Sequence, residues 1–161
     1  MGRIKFSVPR ALREEDSVEG FSCGSPLIDD WVATRAKGAR KAGTAVVYAT
    51  FCEGRLAGFY TLSAQSVVRG ETSGWIARNA PSNIPVILLG MLGVDRRQQG
   101  EGLGHDLLLD AVRRARLVSD QVGARALVVD PLDDGARSFY ARYGFRDMPG
   151  TCRMFARLEH V

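Results

Sequence analysis

The chain has 161 residues, with 22 Lys or Arg against 18 Asp or Glu and a net charge of +4 at pH 7. That length suits a single domain over residues 1–161, with enough core to fold without disulfides or metal. The composition, 45% apolar and 25% charged, excludes a disordered or fibrous chain. The longest apolar run, 84–94, is about half a membrane span and contains Pro85 and Gly90, so no membrane attachment is expected.

The first residues, Met1-Gly2-Arg3-Ile4-Lys5-Phe6, lack the apolar stretch of a secretory signal, and Phe6 stands where a myristoylation signal carries Ser or Thr. A cytoplasmic protein is expected. Cys23, Cys52 and Cys152 are odd in number, contain no Cys-x-x-Cys and read as buried thiols. Ile4, Phe6 and Val8 alternate with polar residues and predict a first strand ended by Pro9. Residues 10–24 are polar, with Phe21 and Cys23 as anchors. Ser25 as cap, Pro26 at the first position and Asp29 and Asp30 in the first turn predict one helix running to Gly43, with Leu27 and Trp31 on its apolar face. Towards its end Lys37, Arg40 and Lys41 share one face. They fit either a solvated face complementing the helix dipole or a contact with a polyanion.

Runs 44–52 and 55–68 around Glu53-Gly54 predict a hairpin. A long loop, 69–85, contains Trp75 and Ile76, which read as packing onto the core, with a short helix, a lid or a substrate wall as alternatives. Residues 86–94 form a central strand, apolar on both faces and interrupted by Gly90 and Gly93. Beyond a glycine-rich stretch, Leu108, Ala111, Val112, Ala115 and Val118 mark a helix that Gly123 ends. A buried strand over 126–130 completes a βαβ unit. A helix over 134–143 follows, with Ala136, Phe139, Tyr140 and Tyr143 apolar and Gly144 closing it. A last strand over 152–158 alternates Cys152, Met154, Ala156 and Leu158 against Arg153, Phe155 and Arg157. These elements make an α/β (α+β) domain, a mixed central sheet flanked by helices.

The stretch 94–104, Val-Asp-Arg-Arg-Gln-Gln-Gly-Glu-Gly-Leu-Gly, lies between the central strand and a helix. Gly100, Gly102 and Gly104 let the backbone curl and approach a ligand, and the N–H groups of the helix's first turn point towards it. This context favours an anion site, with a plain strand-turn-helix junction as the alternative. A dinucleotide fingerprint would need Gly-x-Gly-x-x-Gly, and a P-loop would need Gly-Lys-Ser/Thr where His105 and Asp106 follow instead, so neither fits.

The stretch resembles the acyl-CoA loop of the GNAT acetyltransferases, Arg/Gln-x-x-Gly-x-Gly/Ala, matched by Arg97-Gln98-Gln99-Gly100-Glu101-Gly102. Ser138-Phe139-Tyr140-Ala141-Arg142-Tyr143-Gly144-Phe145 is similar to that family's Phe-Tyr-x-x-x-Gly-Phe, in the right order and with a strand between. Phe21-Ser22-Cys23-Gly24, the Leu27/Trp31 helix, Gly58-Phe59-Tyr60-Thr61-Leu62, Ile84-Pro85-Val86 and residues 129–134 extend the likeness to the GNAT toxins of toxin–antitoxin pairs. Those toxins acetylate the α-amino group of aminoacyl-tRNA and are held inactive by a ribbon-helix-helix antitoxin. The resemblance implies acetyl-CoA as cofactor, with its pyrophosphate held around Arg96, Arg97, Gln99, Gly100, Gly102, Leu103 and Gly104. Backbone amides around Met91, Leu92 and Val94 would align the pantetheine and polarise the acetyl carbonyl. Tyr140 would lie by the thioester sulfur and protonate the leaving thiolate. It further implies an aminoacyl-tRNA substrate taken by Lys37, Arg40, Lys41 and Arg142 and an antitoxin partner; the oligomeric state stays open, with a homodimer as one reading because toxins of this kind are often dimers.

Tyr143 reads as a core aromatic, and His105 and His160 as surface residues. Asp130 is the one carboxylate considered as a base, with helix capping or turn formation as its alternative. No Cys/His cluster supports a metal. The lack of a declared base suits an α-amine, with a pKa of about 7.8, better than a lysine at about 10.4. Two other readings stay open: a GNAT enzyme for a small amine or a protein N-terminus, and an idle acyl-CoA-binding or nucleic-acid-binding module.

Overall fold

The structure, a computed structural model, describes residues 5–158. Along the chain it contains β1 (Arg10–Ala11), α1 (Pro26–Thr34), α2 (Ala36–Ala42), β2 (Val46–Cys52), β3 (Arg55–Val68), β4 (Asn83–Val94), α3 (Leu103–Val122), β5 (Ala126–Val129), α4 (Asp134–Arg142), β6 (Arg146–Asp147) and β7 (Met154–Arg157). The strands form a mixed sheet in the order β1-β2-β3-β4-β5-β7-β6, parallel between β4 and β5. The mixed sheet with helices is the fold class that the elements predict. Two compact units are distinguishable, Met1–Leu62 with Met91–Ala111 and Ser63–Gly90 with Val112–Val161. β3, β4 and α3 each begin in one unit and end in the other.

In the first unit, the hairpin forms as the turn residues dictate: Glu53 and Gly54 adopt φ of 51° and 76°, the left-handed pair that matches strand twist. The first strand departs from expectation. Ile4 lies outside the described residues, Val8 is exposed, and pairing to β2 occurs at Arg10–Ala11, after Pro9. Proline has no N–H to give a ladder, and the segment before it meets β2 at Ser7, whose N–H donates to the Phe51 carbonyl at 2.9 Å and whose Oγ accepts from the Phe51 N–H at 2.9 Å.

The predicted single helix is two, α1 and α2, broken at Arg35 with φ −123°. Thr34 Oγ1 donates back to the Asp30 carbonyl at 2.8 Å, a pattern that bends helices. The buried stripe is Ile28, Val32, Ala36 and Ala39, whereas Leu27 is 63% exposed, which corrects the predicted apolar face. Ile28, Val32 and Ala36 keep a four-residue spacing that continues across the break, a register Leu27 does not share. Trp31 does join the core: its ring lies parallel to Phe59 at 6.3 Å, and Phe21 meets Phe59 edge-on at 5.5 Å. Gly93 is required by this packing, because a Cβ there would stand 3.1 Å from the Phe59 ring and 3.4 Å from both Ile28 and Phe21.

In the second unit, Val67, Ile76, Ala80, Ile84, Val86, Ala126, Val128, Met148 and Phe155 form the core. Trp75 stacks on Phe155 at 5.9 Å, and the Arg125 and Arg157 guanidiniums lie 4.5 and 4.4 Å from its ring, so Trp75 and Ile76 are packing residues. The last strand is shorter than predicted, Met154–Arg157, and buries Phe155 as well as Met154, while Cys152 is exposed. Phe155 faces Trp75 across the sheet's other side, which strict alternation did not anticipate. The buried-thiol expectation therefore holds for Cys52 but fails for Cys152, which precedes the strand, while Cys23 is half-buried. β6, only two residues long, carries no pattern of its own.

Along α3 the predicted period holds at Leu108, Ala111 and Ala115, with Leu103 and Leu107 also buried, but Val118 is 41% exposed. The helix outlasts the apolar surface that it covers.

Candidate active site

The end of β4 is built for access. Its parallel pairing with β5 stops at Leu89 opposite Val129, yet the strand continues to Val94, so the backbone of 91–94 has no β5 partner. The Met91 N–H is not free: it donates to Thr61 Oγ1 at 3.0 Å, and Thr61 is only 4% exposed. Leu92 and Val94 are half-buried.

Asp95 then turns the chain. Its N–H donates to the Ala57 carbonyl at 2.8 Å, and its carboxylate caps the short 3-10 helix Arg96–Gln98 by accepting from the Arg97 N–H at 3.0 Å. The same carboxylate, 3% exposed, accepts from Arg97 Nε at 3.0 Å, Arg97 Nη2 at 3.4 Å and the Ser22 N–H at 3.2 Å. Arg97 also donates to the Gly20 carbonyl at 3.3 Å, and the Arg96 N–H to the Ser22 carbonyl at 2.8 Å. Gln99 Nε2 bridges the Cys23 and Val94 carbonyls at 3.0 and 2.9 Å. Asp29 in α1 secures the other side, accepting from the Cys23 N–H at 2.8 Å and Ser22 Oγ at 3.2 Å. Its own burial works against the charge, but these bonds hold its carboxyl below the usual range. Arg97 and Gln99 thus shape the turn with their side chains, while Arg96 is exposed beside Gly24.

Gly100 and Gly102 follow with φ of +83° and +80°, and α3 starts at Leu103, its first bond running from the Asp106 N–H to the Gly102 carbonyl at 3.1 Å. A Cβ built on either glycine would meet nothing within 4 Å, so the space above both is open. Gly104 is already helical, so two of the three glycines carry the turn. The N–H groups of residues 103–105 are those that an α-helix leaves without an intrahelical acceptor, at the positive end of the macrodipole. The turn can hold a phosphate. His105 is half-exposed, with Nδ1 3.9 Å from Asp106 Oδ1, and His160 lies outside the described residues.

In the second unit Asp133 caps α4, accepting from the Ala136 N–H at 2.7 Å. Tyr140 is 8% exposed, with Phe139 and Phe145 rings at 5.4 Å, and burial pushes its phenol up to about 12. Among the described residues its hydroxyl has no hydrogen-bond partner, which leaves an uncharged donor available. Tyr143 packs edge-on against Phe139 at 5.1 Å. Asp130 is engaged by Arg153 through contacts of 2.7 and 3.3 Å, neither a free base nor a cap. Arg142 is exposed, as are Lys37, Arg40 and Lys41 on α2.

The residues missed from sequence are Asp95 and Thr61. An aspartate directly after an apolar strand and before a helical turn is a capping signal that could have found Asp95. Thr61 gave no signal, because a threonine in a strand is ordinary.

Residues 32–161 match the family model described as acetyltransferase (GNAT) domain. The chain is 41% identical over 144 residues to the tRNA-acetylating toxin of Mycobacterium tuberculosis, covering 89% of this chain and 87% of that protein. It is 31% identical over 153 residues to the probable toxin TacT of Sinorhizobium fredii, covering 88% and 84%. Among solved structures it matches a crystal structure described as a bacterial toxin with a TM-score of 0.86, 28% identity and 94% and 90% coverage. It matches a tyrosine-to-phenylalanine mutant of KacT with a TM-score of 0.82, 27% identity and 89% and 88% coverage. With a matched span that includes both the glycine turn and the Tyr140 segment, the chain belongs to the GNAT acetyltransferase family.

Proposed function

We propose that the protein acetylates the α-amino group of aminoacyl-tRNA with acetyl-CoA and thereby blocks translation. The observation that carries the substrate is the 41% identity, over 89% of the chain, to a protein named for acetylating tRNA. Acetyl-CoA supplies the acetyl group as an activated thioester. The amides of Leu103 and Gly104, with the open turn at Gly100 and Gly102, hold its pyrophosphate, and Arg96 adds positive charge beside them. Arg97 and Gln99 hold the turn. The backbone of Leu92 and Val94, beyond the end of the β5 pairing, aligns the pantetheine, with Met91 fixed by Thr61.

Tyr140 supplies the proton donor at sulfur. A phenol near 12 is a weaker acid than a thiol at about 8.5, so its main part is to donate a hydrogen bond while charge gathers on sulfur. The proton that the released thiol finally keeps is balanced by the one the acylated amine gives up. Lys37, Arg40, Lys41 and Arg142 take tRNA phosphates. An antitoxin of the ribbon-helix-helix class is the regulatory partner that the likeness to toxins of toxin–antitoxin pairs supports. The cytoplasm is where such a substrate is found, and no helix among the described residues is long and apolar enough to cross a membrane.

The test incubates the protein with radiolabelled acetyl-CoA and tRNA, either charged or stripped of its amino acid. Label is expected in charged tRNA alone. Label entering stripped tRNA equally, or entering only polyamines or peptides, would refute the substrate assignment and favour a small-amine or N-terminal acetyltransferase.

A further inference from the structure

The turn that begins at Asp95 is tied to the segment 20–24 by bonds from both sides: Ser22 N–H to Asp95, Arg96 N–H to the Ser22 carbonyl, Arg97 to the Gly20 carbonyl and Gln99 to the Cys23 carbonyl. Asp95 is the one group in this clamp that is both charged and buried, and it accepts from four donors, three of them on Arg97. A carboxylate so placed needs a counter-charge, and the nearest is Arg97, at 3.0 Å along its Nε edge.

We propose that Asp95 is a positioning residue for the cofactor turn and that Arg97 acts through it, as its counter-ion, without touching the cofactor. The inference rests on the reading that residues 99–104 hold the pyrophosphate of acetyl-CoA. Arg97 draws its own backbone N–H and its guanidinium onto one carboxylate, which fixes the 3-10 turn Arg96–Gln98. That turn sets where Gly100 begins, and hence where the first amides of α3 point. An amide field displaced by a fraction of an ångström loses much of its hold on a phosphate, because hydrogen bonds weaken steeply with angle. Asparagine is no substitute for Asp95: in one orientation its NH2 would face the Ser22 N–H and the Arg97 Nη2, in the other the Arg97 N–H and Nε, donor against donor in each.

The experiment uses the full chain as Asp95→Asn, Arg97→Gln and the double variant, with thermal unfolding to establish that each is folded. Calorimetry gives the affinity for acetyl-CoA, and displacement by CoA gives the affinity for S-acetylpantetheine, which lacks the pyrophosphate. Each single variant should bind acetyl-CoA roughly ten- to a hundredfold more weakly, the cost expected of a small misplacement. The double should lose no more than either single, as members of one unit do. Affinity for S-acetylpantetheine should stay at the wild-type value.

If Arg97 touches the pyrophosphate itself, Arg97→Gln will lose far more than Asp95→Asn and the two losses will multiply, which overturns the inference. Equal losses for both ligands, or a lower melting temperature with unchanged affinities, would show that Asp95 supports only the fold. Should Asp95→Asn fail to fold, Asp95→Ser takes its place beside Arg97→Gln and in the double variant, and the same comparison of losses decides. A wild-type protein that binds neither ligand rejects the acetyl-CoA reading itself, an outcome distinct from the others.

Discussion

Gly58 of β3 lies so close to Leu107 of α3 that a Cβ at position 58 would stand 2.8 Å from Leu107 Cδ1, with Leu103 Cδ2 and the Gly93 carbonyl oxygen each 3.2 Å away. The first turn of α3 can press onto the strand only because that position is bare. Gly58→Ala should therefore cost roughly 1–3 kcal/mol through overpacking, and lower the melting temperature by about 2–4 °C per kcal/mol. Because Leu103 opens the helix whose amides form the proposed phosphate site, acetyl-CoA affinity should fall with it. Scanning calorimetry and a binding titration on one preparation check both, and unchanged values in each would contradict this account of the contact.

Gly102→Glu tests the anion site directly. Its left-handed φ of +80° makes a side chain strained by about 1–2 kcal/mol, but the surrounding space is open and the protein should fold. A carboxylate there would repel a pyrophosphate, and acetyl-CoA affinity should fall by at least roughly tenfold, about 1.4 kcal/mol. A folded variant with wild-type affinity by calorimetry would remove residues 99–104 from the cofactor site.

Tyr140→Phe keeps the ring and removes the donor. Acetyl transfer should slow by roughly 10²-fold in single-turnover measurements while acetyl-CoA affinity is retained. The pH profile is informative because the phenol holds its proton up to about 12. The rate should rise as the amine deprotonates, near or below about pH 7.8, and show no fall from Tyr140 while the protein stays folded. The variant should lower the plateau without moving the rising limb. A raised folded pKa means that the unfolded chain ionises first, near pH 10, so the Tyr140 contribution to stability is unaffected below that pH. It then declines towards about 12 by roughly 2–3 kcal/mol. Alkaline unfolding that is no milder in Tyr140→Phe would contradict this linkage.

Neutralising Lys37, Arg40 and Lys41 together should weaken tRNA binding and relieve growth arrest on expression, with acetyl-CoA affinity near wild type. Each lost phosphate contact takes about 0.7 to 0.9 from the slope of log affinity against log salt. A slope that stays unchanged across a salt series would return these residues to a solvated helix face.

The sequence by itself determined the elements whose conformation depends on residues a few positions away. Glu53-Gly54 forced the hairpin, Ser25 and Pro26 started α1, Gly123 and Gly144 ended their helices, and the glycines at 100 and 102 made the turn between β4 and α3. Such signals are local because a single side chain or its absence decides which φ is allowed. Tertiary structure alone decided what each charged or apolar side chain meets. Arg97 stands in a cofactor motif yet lies on Asp95, in a turn pinned by Ser22, 73 residues earlier in the chain. Leu27 and Ile28 are neighbours of equal apolarity, and only the position of Phe59 and Val32 buries one and exposes the other. The pairing of Thr61 with the Met91 N–H is of the same kind, joining residues 30 apart. Burial and ion pairing are properties of surfaces brought together from distant stretches, and no periodicity within one stretch encodes them.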